Sequence, residues 1–204
     1  MPLSDECPQS VDISFLYRPV SPFLNSEFRF RGCALYPQFP SGTKVLVGES
    51  DLKSFLREKG FGEERGKRQE LSLIEALFLV ENEKMRVVDG EKNLSFDDLL
   101  KIGNRVEENF YSKYLVYSDL RTRGLLVRTG LKFGSDFRVY ERGKGIRAGH
   151  SRYLVHVVPE EYTCSFPELA RAIRLSQNVN KLMIYAIVDE EGDVTYYQID
   201  RVKL

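Results

Sequence analysis

The feature that most restricts the possible folds of this chain is a series of strand-like segments in its second half. Each segment has the apolar or alternating pattern that is typical of a β-strand. The segments are GLLVRTG, DFRVY, HSRYLVHVVP, KLMIYAIVD and DVTYYQIDRV. Between the third and the fourth, Ser165 and Glu168 form a capping box and Pro167 lies in the first turn of a helix. This order predicts a mixed α/β sheet domain over residues 111–204.

The first half of the chain predicts a smaller α/β domain over residues 1–110. FRFRGCALYP and TKVLVG have strand patterns on either side of the turn-forming segment PQFPSG. Residues 51–59 predict a short helix, and the segment GFGEERGKRQ that follows predicts an exposed charged loop. Residues 1–70 carry fewer recognisable signals than the rest of the chain. The predicted fold class is therefore α/β, of the mixed α+β kind.

Two further helices are predicted near the end of this first half. LSLIEALFLVENEK combines a capping box of Ser72 and Glu75 with one apolar stripe. The second helix begins at Ser95, and we expect it to continue towards Phe110 despite Gly103. Both helices are expected to pack their stripes into a core. The domain boundary should then fall within residues 105–115.

The composition is that of an ordinary globular protein, with 42% hydrophobic and 29% charged residues and a formal net charge of zero. No apolar run reaches transmembrane length, and the N-terminus lacks the layout of a secretion signal, so we expect a cytoplasmic protein. Cys7, Cys33 and Cys164 are widely spaced and odd in number. They predict neither a disulfide framework nor a zinc site, and we expect no metal or cofactor.

A local concentration of positive charge surrounds one of the two histidines. Between Leu120 and Tyr153 there are nine Lys or Arg residues against two acidic ones. His150 lies ten positions after Tyr140, which closes a strand pattern. If the two strands pair as a hairpin, Tyr140 and His150 face each other at its open end. A proton-transfer residue in such a basic segment suits phosphodiester chemistry; a solvated basic hairpin with a chance histidine is the alternative.

Lys181 and His156 are the two other residues whose type and position suggest a role. Lys181 stands where a polar loop enters a buried strand, which predicts an ammonium group at the sheet edge. Taken alone, it is interpreted as a lysine that snorkels to solvent. His156 lies in the middle of a strand among apolar residues, and we interpret it as structural.

Several segments together resemble one known family. YLVYSDLRTRGLLVRTGLKFGSDFRVY, GHSRYLV and RLSQNVNK are similar to the catalytic domain of archaeal tRNA-splicing endonucleases. LSLIEALFLVE and the acidic second helix resemble the N-terminal structural and assembly domain of that family. The resemblance covers roughly residues 71–204 and implies a restriction-endonuclease-like mixed sheet for the catalytic domain.

The resemblance implies metal-independent cleavage of precursor tRNA at both intron borders, in a bulge–helix–bulge RNA. The products would carry a 2′,3′-cyclic phosphate and a 5′-hydroxyl. The family's catalytic Tyr, His and Lys fall on Tyr140, His150 and Lys181. His150 would protonate the departing 5′-oxygen, and Lys181 would stabilise charge on the phosphorane-like transition state. Because a phenol is a weak base near neutral pH, it stays open whether Tyr140 deprotonates the 2′-hydroxyl or only orients it.

The resemblance also implies how RNA is held and how subunits assemble. The family clamps a bulge base between arginines, which fall here on Arg174 and Arg201; from their positive charge, Arg142, Lys144 and Arg147 are also expected to bind RNA. An acidic turn, expected to enter a basic pocket on a partner subunit, consists of Asp189, Glu190, Glu191 and Asp193. The final strand would pair with its copy across a two-fold axis. A homotetramer is favoured over a heterotetramer with a structural subunit.

Two alternatives remain at this level. A metal-dependent nuclease of the restriction-enzyme type would need clustered carboxylates, and the basic segment offers only Asp136 and Glu141. A non-catalytic RNA-binding or structural subunit of the complex would have no need to retain all three catalytic-type residues.

Overall fold

The computed structural model of the chain describes residues 33–37, 43–47, 50–66, 68–142 and 150–202. The elements of the first half are β1 Cys33–Pro37, β2 Thr43–Val47, α1 Ser50–Glu58, β3 Glu63–Arg65, β4 Arg68–Ser72, α2 Leu73–Glu81, β5 Val87–Asp89, β6 Lys92–Leu94 and α3 Phe96–Val106. Those of the second half are α4 Phe110–Thr122, β7 Leu126–Thr129, β8 Phe137–Tyr140, β9 Tyr153–Pro159, α5 Phe166–Asn178, β10 Leu182–Val188 and β11 Val194–Ile199.

The first sheet has six strands in the order β3-β4-β2-β1-β5-β6, and only the β1–β5 pair is parallel within the described residues. The exposed loop predicted after α1 is wrong, because β3 and β4 form a hairpin there. Gly66, with φ of 61°, makes its turn. The charged side chains of β3 and Arg68 are exposed, whereas Gln69 and Leu71 alternate into the core. The hairpin is therefore charged on β3 and buries alternate residues of β4.

The capping box of Ser72 and Glu75 is confirmed, and Ser95 caps α3 in the same way through Asp98. The predicted continuation of α3 to Phe110 is wrong, because α3 ends at Val106. The chain then turns back, and Phe110 begins a separate helix, α4, that was not predicted. A Cβ on Gly103 would lie 2.1 Å from the ring of Phe110, so the glycine makes room for this turn.

The second sheet has five strands in the order β11-β10-β9-β8-β7. β9 and β10 are parallel and connected by α5, while the other described pairs are antiparallel. One face of the sheet packs on α4 through Phe137, Val155 and Tyr117. The opposite face packs on α5, with Leu154 and Met183 against Leu169 and Ala172. The predicted mixed α/β class is confirmed.

Two arginines of the second half reach into the first. Arg121, only 3% exposed, places its guanidinium 3.8 Å from the ring centroid of Phe61 and donates to the carbonyl of Lys59 at 3.0 Å. Arg128 donates to the carbonyl of Gly62. These contacts join the strand-rich second half to the segment that follows α1, and the two halves share one hydrophobic core.

Among the described residues, no helix has both the length and the apolar character required to cross a membrane.

Candidate active site

Three neighbouring strands of the second sheet bring Tyr140, His150 and Lys181 to one end of that sheet. β8 ends at Tyr140, β9 begins at Tyr153 and β10 begins at Leu182. β8 is antiparallel to β9, and β9 is parallel to β10. The end of β8 therefore lies beside the beginnings of β9 and β10. The residues just outside these strand ends share that end of the sheet.

Lys181 is anchored at this end by two hydrogen bonds. Its backbone N–H donates to the carbonyl of Ser176 at 2.8 Å, which closes the turn after α5. Its Nζ donates to the carbonyl of Ser151 at 2.6 Å. Ser151 is 5% exposed and directly follows His150. The second bond therefore holds the ammonium group beside the segment that carries the histidine.

The surroundings of Lys181 are partly apolar and partly cationic. Its Nζ lies 5.5 Å from the ring centroid of Phe133. Burial lowers the pKa of Lys181 below the ordinary lysine value, and the positive charge of Arg138 lowers this pKa further. Both effects disfavour the charged form of the lysine, and a nearby anion would stabilise that charged form.

The predicted pairing of Tyr140 with His150 is wrong in register. The ladder aligns Val139 with Tyr153, and the N–H of Arg152 donates to the carbonyl of Val139 at 2.9 Å. Arg152 therefore lies across from Tyr140, and His150 precedes β9 instead of belonging to it.

The carbonyl of Ser151 accepts from the side chain of Lys181, and β9 pairs with β10 from Tyr153 onward. Tyr140 is 5% exposed, whereas the imidazole of His150 is exposed to solvent. The histidine thus lies outside the ladder and is accessible from solvent.

A partly buried network that was not predicted lies at the other end of β8. Asp136 accepts from the backbone N–H of Val157 at 2.8 Å, and Nδ1 of His156 lies 3.0 Å from the same carboxylate oxygen. Lys113 pairs with the second oxygen at 3.1 Å and with Glu107 at 2.7 Å. His156 is thus held by a carboxylate, not only by apolar neighbours. The alternation pattern of the sequence could have predicted this contact, since Asp136 and His156 lie on the same face of two strands predicted to pair.

The pKa of Asp136 is set by opposing effects. Burial raises the pKa of this carboxyl, but the hydrogen bonds from His156 and from the N–H of Val157, together with the charge of Lys113, outweigh burial. The net result is a pKa below the ordinary aspartate value. The network is therefore a stabilising element of the folded state.

The residues expected to bind RNA occupy several places. Arg174 is exposed on α5 and its Nε donates to the carbonyl of Ala170 at 3.2 Å. Arg201 is exposed after β11. Gln177, one turn after Arg174, donates to Asp200 at 2.7 Å, and this bond brings the end of α5 to the segment that carries Arg201.

The basic loop between β8 and β9 is described only at its margins. Arg142 is exposed and donates to the carbonyl of Arg123 at the end of α4. Lys144 and Arg147 lie outside the described residues.

The acidic turn joins β10 to β11. The N–H of Asp193 donates to the side chain of Asp189 at 2.8 Å, and Gly192 adopts φ of 88°. Glu190 and Glu191 are exposed at its tip. The turn therefore exposes the carboxylates of Glu190, Glu191 and Asp193 at one corner of the sheet, while that of Asp189 closes the turn.

A separate cleft of about 410 Å³ lies between the two halves, lined in part by Glu75, Phe110, Lys113, Arg128 and Asp136. Tyr140, His150 and Lys181 are not among its lining residues. The predicted catalytic residues instead occupy the opposite end of β8, next to the basic loop.

Within the residues that the structure describes, no group of three or more His, Cys, Asp or Glu side chains is arranged to hold a metal ion. Cys164 is a free, exposed thiol.

Comparison with known proteins agrees with this architecture. Residues 110–196 match the family model described as the tRNA intron endonuclease catalytic C-terminal domain, and residues 38–100 match the model of the N-terminal domain. A tRNA-splicing endonuclease of Pyrococcus furiosus is 47% identical over 164 residues, which cover 80% of this chain and 94% of the relative. The enzymes of the same name from Pyrococcus horikoshii and Methanococcus vannielii are 43% and 42% identical, again over 80% of this chain and over 94% and 93% of those proteins.

Both matches fall on the two sheets in chain order, and the relatives are aligned over most of their own length. The chain therefore belongs to the tRNA intron endonuclease family.

Proposed function

We propose that this protein is a tRNA-splicing endonuclease that cuts precursor tRNA at both intron borders, within a bulge–helix–bulge RNA. The observation that carries the proposal is the 2.6 Å hydrogen bond from Lys181 to the carbonyl of Ser151, which holds the lysine against the residue after His150. Tyr140 ends β8, the strand next to β9, at the same end of the sheet. The names of the relatives and of the family support the substrate class.

The proposed reaction is an attack by a ribose 2′-hydroxyl on the adjacent phosphorus. The bond from the 2′-oxygen to phosphorus forms as the bond from phosphorus to the 5′-oxygen breaks, which leaves a 2′,3′-cyclic phosphate and a 5′-hydroxyl. Tyr140 accepts or orients the 2′-hydroxyl proton, and His150 donates a proton to the departing 5′-oxygen. Lys181 stabilises the negative charge that grows on the non-bridging oxygens.

This mechanism is proposed to need no metal ion, because proton donation and charge stabilisation are assigned to His150 and Lys181, and Tyr140 acts on the 2′-hydroxyl. The exposed imidazole of His150 supports its role as the acid, since the group must reach a bound phosphodiester. The low exposure of Tyr140 suits a residue that fixes the position of the nucleophile. These roles keep the choice between base and orienting group open for Tyr140.

RNA is proposed to lie across the end of the second sheet and over α5. Arg174 and Arg201 are brought to the same side by the bond between Gln177 and Asp200 and would hold a splayed bulge base. Arg142, Lys144 and Arg147 supply positive charge from the β8–β9 loop.

We also propose that the chain assembles into a homotetramer. β11 is an edge strand with a described partner on one side only, and Tyr197 on it is 53% exposed. An unpaired edge favours pairing with a second copy. The exposed acidic turn offers a second contact by charge. A heterotetramer with a structural subunit is the other arrangement consistent with these surfaces.

The experiment is cleavage of a bulge–helix–bulge RNA by the purified chain in excess EDTA. Wild type should cut the RNA and His150→Ala should not. His156→Gln is the matched control, because it alters the other histidine while keeping a hydrogen-bonding side chain towards Asp136. Equal cleavage by wild type and His150→Ala would refute the mechanism. Cleavage that disappears in EDTA would favour a metal-dependent nuclease, and binding without cleavage would favour a non-catalytic subunit.

A further inference from the structure

Arg138 is a partly buried cation on the same face of the second sheet as Tyr140 and Lys181. Arg138 and Tyr140 are two positions apart on β8, so their side chains project to one side. The ladder pairs Arg138 with Leu154, and Leu154 with Met183 on β10. Lys181 precedes Met183 by two positions and so belongs to this face as well.

The guanidinium of Arg138 lacks part of its hydrogen bonding. Its Nε is buried and has no acceptor within the part of the chain that the structure describes. The two acidic residues nearest to it along the chain are engaged elsewhere, since Asp136 pairs with Lys113 and Glu141 pairs with Arg152. A buried donor without an acceptor costs free energy, and it is satisfied when a ligand supplies one.

Arg138 and Lys181 also act on each other as like charges. The strands that carry them are separated only by β9, so their Cα rows lie roughly 10 Å apart. Both side chains are long enough to approach over that distance. The positive charge of Arg138 contributes, after burial, to the lowered pKa of Lys181. Two neighbouring cations that no described carboxylate bridges are most favourable when an anion lies between them.

We propose that Arg138 binds a phosphate of the RNA backbone at the cleavage site, beside Lys181. The inference rests on the proposed function, because it places the scissile region of the RNA at this end of the sheet. A guanidinium presents N–H donors in a planar fork that matches two phosphate oxygens. A bound phosphate accepts from the guanidinium of Arg138 and shields it from the ammonium group of Lys181. Arg138 is then a further substrate-contacting residue that stabilises charge in the transition state.

The test is single-turnover cleavage of a bulge–helix–bulge RNA by Arg138→Gln and Arg138→Lys. Arg138→Gln should lower the rate constant for cleavage of bound RNA by roughly 10²-fold. Arg138→Lys keeps the charge without the fork and should recover part of that loss. Arg105→Gln, which removes an exposed cation from α3, is the control for net charge and should cleave at the wild-type rate.

Melting temperatures separate substrate binding from a structural role. Because Arg138 is unsatisfied without substrate, Arg138→Gln should melt at or above the wild-type temperature. A structural arginine would show a lowered melting temperature together with the lost rate, and that result would overturn the proposal. A wild-type rate for Arg138→Gln would overturn it as well.

His150→Ala in the same assay keeps the two proposals apart. If His150→Ala is inactive while Arg138→Gln is fully active, only the inference on Arg138 fails. If His150→Ala cleaves like wild type, the proposed function fails. The anion site is then judged without cleavage, from the rise in melting temperature that inorganic phosphate produces. The rise should be larger for wild type than for Arg138→Gln, and equal rises would refute the site.

Discussion

The ammonium group of Lys181 donates a 2.6 Å hydrogen bond to the backbone carbonyl of Ser151. This contact joins the start of β10 to the segment just before β9, where His150 lies. A carbonyl oxygen accepts the bond without cancelling the charge of the lysine. The positive charge therefore remains available to a phosphate at the end of the sheet.

Replacement of Lys181 tests this arrangement. Lys181→Met should lower the single-turnover cleavage rate by about 10²–10³-fold, because a charge-stabilising donor is lost in the transition state. Lys181→Arg keeps a cation and should lose less. Lys132→Met removes an exposed lysine from the basic segment between Leu120 and Tyr153 and serves as the control. A wild-type rate for Lys181→Met would refute the role assigned to the lysine.

The network around Asp136 predicts a pH-dependent difference in stability. Asp136→Asn should lower the free energy of unfolding by about 2 kcal/mol near neutral pH, because bonds to a partly buried carboxylate are lost. The pKa of Asp136 is lowered in the folded state, so its contribution is complete above the ordinary value of 3.8 and is lost as the pH falls through the lower folded value.

Chemical denaturation of both proteins across this pH range gives the measurement. Their free energies of unfolding should converge at low pH. Asp89→Asn, which changes an exposed carboxylate at the end of β5, should leave stability nearly unchanged. A constant difference between wild type and Asp136→Asn at every pH would contradict the linkage.

Gly103 is predicted to tolerate no larger side chain. Gly103→Ala adds a methyl group 2.1 Å from the buried ring of Phe110, and the expected cost is about 1–3 kcal/mol from overpacking. Over most of this range the overpacking cost exceeds the gain in helix propensity of alanine over glycine, which is about 1 kcal/mol. Asn104→Ala, at the exposed neighbouring position of α3, gains propensity without the clash and should not destabilise. Thermal unfolding of the two variants decides the point, and greater stability of Gly103→Ala would contradict the packing.

The acidic turn is predicted to hold subunits together. A variant with amides at all four positions should have a lower mass by light scattering than wild type. Its substitutions are Asp189→Asn, Glu190→Gln, Glu191→Gln and Asp193→Asn. The turn itself should persist, since Gly192 and the bond from the N–H of Asp193 to the side chain at 189 are kept. An unchanged mass would show that the charges do not contribute to assembly.

Locally encoded elements were predictable from the sequence. The capping boxes at Ser72 and Ser165 each lie within four residues, so the starts of α2 and α5 could be read directly. The β3–β4 hairpin was missed because its pairing with β2 lies outside the charged segment itself. α4 was missed because Asn109 provides no side-chain cap and the helix is apolar on more than one side.

In the candidate site, too, the features set by local sequence could be predicted and those set by long-range contacts could not. That Tyr140 ends a strand and Lys181 directly precedes one follows from local patterns, and the structure agrees. The β8–β9 register and the bond from Lys181 to the carbonyl of Ser151, between residues 30 positions apart, are long-range features that local patterns do not reveal. The catalytic roles came from family resemblance and stay a prediction.

The most direct test uses a substrate that lacks a single oxygen atom. A bulge–helix–bulge RNA with a 2′-deoxyribose at the cleavage position lacks the proposed nucleophile but keeps the shape and charge of the RNA. It should bind with nearly the affinity of the all-ribose RNA and remain uncut in EDTA, while the all-ribose RNA yields a 2′,3′-cyclic phosphate. Cleavage of the deoxy-substituted RNA at that position would contradict attack by the 2′-hydroxyl, and with it the roles proposed for Tyr140, His150 and Lys181.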